Sequence, residues 1–288
     1  MDYALIFLSV AMFGGCFALN DVYRKRRGSS IKASIEASFV GSLAGVICLL
    51  AFGGFKFEIT AFTLILALVA AINRIAFTFF SFKALGSINL SLYSLFSMLG
   101  GMLLPFVQGI AFYGEKITLA KAVCVVIICV ALALTVTKGD RSRGYVYYIG
   151  VFLLNGMSSV LSKIYSEASF PKASASGYSL WISAATVAIS GVAWLMMARK
   201  SEHDQARYTL GDCAVGAVNG GMSAVANCLL VIALANVDAS VQYPAVTGGV
   251  MIVSTLICFF GERKPSKREL AAIALAFVGT LALFVIPI

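Results

Sequence analysis

Ten long apolar runs, separated by short charged connections, constrain this 288-residue chain more than any other feature of its sequence. The hydrocarbon core of a bilayer is about 30 Å thick, and about 20 helical residues cross it. On that ruler the runs fall near 3–22, 31–52, 60–82, 88–112, 118–137, 145–165, 175–198, 210–234, 238–260 and 268–286. Charged residues make up 12% of the chain, about half the share in a soluble domain, and they gather between the runs. Continuous runs of this length predict helices, because barrel strands would alternate over segments of about ten residues. The expected fold class is an all-α membrane protein of ten transmembrane helices, with no room for a separate soluble domain.

The runs come in two sets. Ala84-Leu85-Gly86-Ser87-Ile88-Asn89-Leu90-Ser91 opens an apolar stretch that closes on Phe112-Tyr113-Gly114-Glu115-Lys116. Ala233-Leu234-Ala235-Asn236-Val237-Asp238-Ala239-Ser240 opens another, which closes on Phe259-Phe260-Gly261-Glu262-Arg263. The two Gly-Glu-basic signatures stand half a chain apart, and each is followed by one more apolar run. This divides the chain into repeats 1–143 and 144–288. Five spans per repeat is an odd number, so the copies enter the membrane upside down to one another, as two inverted five-helix repeats.

Sixteen of the 22 basic residues fall in connections after odd-numbered spans, among them Arg24, Lys25, Arg26 and Arg27. The positive-inside bias therefore predicts those connections in the cytoplasm and both termini outside. The net charge of +9 arises in these connections and forms no basic face interleaved with aromatics, so nucleic acid is not an expected partner. The seven cysteines show no CxxC or Cys/His spacing, and the single histidine, His203, sits in a charged loop. No metal site and no cofactor are expected. The first run lacks a basic segment before it and a small-residue cleavage site after it, and reads as a retained span.

In its paired Ala-Leu … Gly-Glu-basic units the chain resembles the drug/metabolite transporter superfamily, specifically the ten-span EamA-like branch, over essentially its whole length. The resemblance implies a multi-pass secondary transporter of the plasma (inner) membrane. It also implies a central cavity lined mainly by the first, third and fourth spans of each repeat. Family substrates are small metabolites such as amino acids, amines, nucleosides and sugar derivatives, and the family suggests export.

Polar residues within spans mark where chemistry would sit. Arg74, with Asn73, lies near the middle of the third span, where an arginine costs about 2.5–3.5 kcal/mol. It must face a cavity or a partner. Its planar fork suits a carboxylate or other anionic group, unless helix-end carbonyls or an acid such as Glu36 take it up. Thr78 and Ser81 share its face, and Phe77, one turn from Asn73, is the aromatic expected in the cavity. Asn219, Ser223 and Asn227 form a stripe on the eighth span, and Asn155, Ser159 and Ser162 another on the sixth. Tyr93 and Ser97 mark the fourth span; Gln242 and Tyr243 precede Pro244 in the ninth. The candidate substrate-binding residues are thus Asn73, Arg74, Phe77, Tyr93, Asn155, Asn219, Asn227, Gln242 and Tyr243. For each the competing role is an interhelical hydrogen bond, typically about 0.6 kcal/mol.

Glu36, the acid furthest into a span, is the candidate coupling residue. Glu115 and Glu262 read as helix-terminal acids, and Lys163 is expected to snorkel to the interface. The pairs Gly41/Gly45, Gly216/Gly220, Gly100-Gly101 and Gly248-Gly249 predict close helix contacts. Pro105 and Pro244 predict kinks, and Ser266-x-x-Glu269 has the spacing of a capping box.

The chain has no GxxxxGK[ST], HExxH or GxSxG motif and no paired mid-span carboxylates, so it is not expected to be an enzyme. The expected function is a secondary active or facilitative transporter of an amino acid-like or carboxylate-bearing metabolite, working by alternating access. Transport of a cationic or neutral metabolite is the alternative, and an enzyme on lipid-linked substrates a remoter one. Expected partners are the substrate, the lipid bilayer and a proton or other coupling ion. The chain would act as a monomer or a homodimer.

Overall fold

A computed structural model describes residues 2–52, 58–114, 145–198, 209–233, 236–237, 239–261 and 264–285, with short pieces at 122–123, 126–127 and 130–131. Most of the expected fifth span, 118–137, lies outside the described residues, as do the acids Glu115 and Glu262. Those residues form nine helices and no strand: α1 (Asp2–Arg27), α2 (Ile31–Phe52), α3 (Ala61–Ser87), α4 (Leu90–Tyr113), α5 (Tyr145–Glu167), α6 (Ala175–Ala198), α7 (Leu210–Ala233), α8 (Ala239–Phe259) and α9 (Lys267–Val285). The seven helices α1 to α7 are long and apolar enough to cross a membrane. Their outer faces carry large apolar side chains, with Phe7 73% and Phe112 83% exposed, as lipid contact requires.

Helix ends follow local chemistry rather than the limits of the apolar runs. α1 continues to Arg27 instead of stopping near 22, because four basic residues in its last turn complement the negative end of the helix dipole. It ends at Gly28, whose φ of 80° suits a residue without Cβ. Gly114, the glycine of the first Gly-Glu signature, closes α4 in the same left-handed region, with φ 63°. Asn89 caps α4 by accepting the Leu92 N–H at 2.9 Å. At α9 the capping box forms as its spacing predicts. Ser266 N–H donates to Glu269 Oε2 at 2.6 Å, and Glu269 N–H to Ser266 Oγ at 3.3 Å. Asn89 Nδ2 donates to the same carboxylate oxygen at 2.7 Å, which ties the starts of α4 and α9 together.

The helices pack mostly across the two halves of the chain. α1 rests on α7 and α8, α5 on α3 and α4, α2 on α7, and α6 on α3; α2 also meets α6, and α4 meets α8. Glycines set the spacing at several crossings. A Cβ on Gly220 would stand 2.1 Å from Gly41 Cα, so α2 and α7 touch backbone to backbone. A Cβ on Gly100 would stand 1.9 Å from the Phe152 carbonyl oxygen, between α4 and α5. One on Gly249 would meet Val10 at 2.7 Å, between α8 and α1. α4 runs through Pro105, which is buried. Lys163 does not reach out to the interface. Its side chain is buried, with the ammonium 5.3 Å from the Tyr113 ring centroid.

Candidate functional site

The helices α1 to α8 enclose a cavity of about 230 Å³. Its walls mix hydroxyls and amides with aromatic rings, and Arg74 is the only formally charged side chain among the lining residues. The cause is local. In α3, α5 and α7, polar residues recur at three- and four-residue intervals on one face, while the remaining faces are apolar and meet lipid or neighbouring helices.

Seven of the candidate binding residues line this cavity: Arg74, Phe77, Asn155, Asn219, Asn227, Gln242 and Tyr243. Arg74 sits half-buried near the middle of α3. Its side chain forms no hydrogen bond and no ion pair with any described residue; only its carbonyl is used, accepting the Thr78 hydroxyl at 3.0 Å. The lining amides and the Tyr243 hydroxyl are tethered. Asn155 Nδ2 donates to the Ser97 carbonyl at 2.7 Å and Asn219 Nδ2 to Asn20 Oδ1 at 2.8 Å. Gln242 Nε2 donates to the Leu230 carbonyl at 2.9 Å, and the Tyr243 hydroxyl to the Ser159 carbonyl at 3.4 Å. Asn227 Nδ2 donates to the Ser223 carbonyl of its own helix at 2.8 Å. The amide oxygens Asn219 Oδ1 and Gln242 Oε1 are buried with no hydrogen-bond partner. An unmet acceptor of this kind costs about 1–3 kcal/mol.

Two candidates stand behind the wall. Asn73 Nδ2 donates to the Leu154 carbonyl at 2.9 Å and to Ser158 Oγ at 2.8 Å, which clamps α3 to α5 and holds the lining residue Ser158. Tyr93 is fully buried, donates to Ser81 Oγ at 2.8 Å, and packs edge-on against Phe17 at 5.0 Å. Glu36 is not a lining residue either. It accepts from Arg27 at 2.8 Å and lies 4.0 Å from Lys32, so its carboxylate belongs to the start of α2 and not to Arg74.

The cavity also uses residues that sequence reasoning passed over. Phe13, Cys16, Phe17 and Asn20 of α1 line it, as do Ser38 and Ser42 of α2 and Tyr178 and Ser179 of α6. Ser38 and Ser42 carry the same four-residue spacing as Asn219 and Ser223, so their signal was present. Cys16 and the two phenylalanines carried none, being apolar residues in an apolar run.

No family model matches the chain, and no curated protein matches it. Solved structures do match: 28 chains are similar, so the architecture recurs. One of them, described as "Crystal structure of protein", superposes with a TM-score of 0.66 at 17% identity, covering 98% of this chain and 96% of its own. That likeness is one of fold alone.

Proposed function

We propose that this chain is a secondary transporter of the drug/metabolite superfamily, of the ten-span EamA-like kind. It carries a small metabolite bearing a carboxylate or other anionic group across the plasma (inner) membrane. Substrate binds between two inverted five-helix repeats, 1–143 and 144–288, which expose it to one side at a time. The family assignment rests on the paired Gly-Glu-basic units, and export on that resemblance.

The observation that carries the reading is Arg74. A guanidinium placed mid-span in a cavity, with no acid beside it among the described residues, is suited to receive an anion rather than to form a structural cross-link. The orphan acceptors Asn219 Oδ1 and Gln242 Oε1 favour a substrate that also brings N–H or O–H donors, as an amino acid does. A two-fold duplication is supported by the packing. Exchanging each helix for its counterpart half a chain away turns α1 on α7 into α5 on α3, α1 on α8 into α5 on α4, and α2 on α7 into α6 on α3. The α2–α6 and α4–α8 contacts map onto themselves.

Reconstitution into vesicles tests the reading. Saturable solute flux is expected from the wild-type chain. Arg74→Ala is expected to lower it at least tenfold, with normal insertion. Arg74→Lys keeps the charge without the bidentate fork and should fall between the two. Undiminished flux in a correctly inserted Arg74→Ala protein would remove the proposal.

A further inference from the structure

Arg74 also bears on how the cavity returns after releasing its cargo. α3 is 27 residues long, and Arg74 lies midway, about 20 Å from either end at a rise of about 1.5 Å per residue. An acid at either end of α3 is therefore out of its reach. Among the described residues no aspartate or glutamate lines the cavity; the titratable side chains that share it with Arg74 are Cys16, Tyr178 and Tyr243, a thiol and two phenols that ordinarily stay neutral at pH 7. The described walls thus offer neither a counter-charge for the guanidinium nor a carboxylate that could take up a proton to replace the cargo.

We infer that the protein, if it transports as proposed above, is an obligatory exchanger: the cavity changes sides only with an anion on Arg74, so one small anion leaves for each that enters. Shutting an uncompensated cation away from water is costly, whereas an anion paired with the guanidinium cancels most of that cost. At about 1.36 kcal/mol per tenfold, a hundredfold slowing of the unloaded return corresponds to about 2.7 kcal/mol. That lies within the cost of an arginine at a helix centre. A carrier with an acid in its cavity could return neutralised by its own side chain. This cavity has none among its described residues, and its return ligand must come from solution.

The test uses proteoliposomes of the full chain, with a uniformly 13C-labelled polar cell extract outside and mass spectrometry of the lumen. The lumen holds zwitterionic buffer alone, the same buffer with potassium chloride, or unlabelled extract. Labelled anionic metabolites are expected to accumulate at least tenfold faster into extract-loaded vesicles than into those with buffer alone. An equally fast rate with chloride would support exchange and identify an inorganic anion as a sufficient return ligand. Equal rates with buffer alone would overturn the exchange and leave the transport reading standing. Accumulation confined to cations or neutral solutes would overturn the exchange as well. No accumulation under any condition would overturn both.

Discussion

Two buried tyrosines, one near the end of α1 and one near the end of α5, are held by different chemistry. Tyr23, near the end of α1, stacks on Phe82 at 5.7 Å. Around it are ion pairs: Arg27 with Glu36 at 2.8 Å, both largely buried, and the half-exposed Arg26 with Asp212 at 4.0 Å. Tyr165, near the end of α5, stacks face to face on Tyr178 at 4.0 Å, with Phe62 at 6.3 Å. Its hydroxyl donates to the Ala173 carbonyl, and the Lys172 ammonium lies 5.7 Å from its ring centroid. The segment before α6 and the first turns of α6 are tied to the start of α3 by a backbone and a ring N–H. Ala173 N–H donates to Thr63 Oγ1 at 3.1 Å, and Trp181 Nε1 to the Glu58 carbonyl at 2.8 Å. One cluster is thus largely ionic and the other largely aromatic.

The sharpest way to break this contrast is at the buried ion pair. Glu36→Ala removes the carboxylate 2.8 Å from Arg27 and should cost about 3–5 kcal/mol, read as thermal unfolding in detergent. The swap Arg27→Glu with Glu36→Arg should recover a large part of that loss, and a swap no better than the single variant would show that the pair does not hold this cluster. Tyr165→Ala in the other cluster empties a stacked, buried site and should cost about 3 kcal/mol. That loss should be the same at low salt and at about 1 M, where charges are screened within about 3 Å. A marked salt dependence there would erase the distinction between the clusters. Tyr165→Phe keeps the ring and loses the hydroxyl, for about 1 kcal/mol. Arg26→Ala is the smallest change. Its pair spans 4.0 Å with a half-exposed arginine, so an effect within about 0.5 kcal/mol, vanishing at high salt, is expected.

Part of the cavity was legible because helical spacing is a local property. Asn219, Ser223 and Asn227 on α7, and Asn155, Ser159 and Ser162 on α5, share faces by spacing alone, and all six line the cavity. Asn73 and Tyr93 were polar residues of the same kind, yet they stand behind the wall, bonded to Ser158 and Ser81. A helical wheel identifies which residues share a face and is silent about what the face meets. Glu36 shows the same limit. Its depth in the run suggested a coupling role, while its neighbours in space are Arg27 and Lys32.

The sequence alone determined that this chain is helical and built for lipid, because run length, continuity and the placement of charge act on each segment by itself. The capping box at Ser266 and the glycine stop at Gly114 were set in the same way, by residues within a turn of where they act. Which polar groups share a cavity was decided only by tertiary structure. That choice depends on the rotation of each helix against its neighbours, and the rotation is set by contacts such as Gly41 on Gly220. Such contacts join positions far apart in the chain, so no local pattern specifies that Arg74 ends beside no described acid while Glu36 ends beside Arg27.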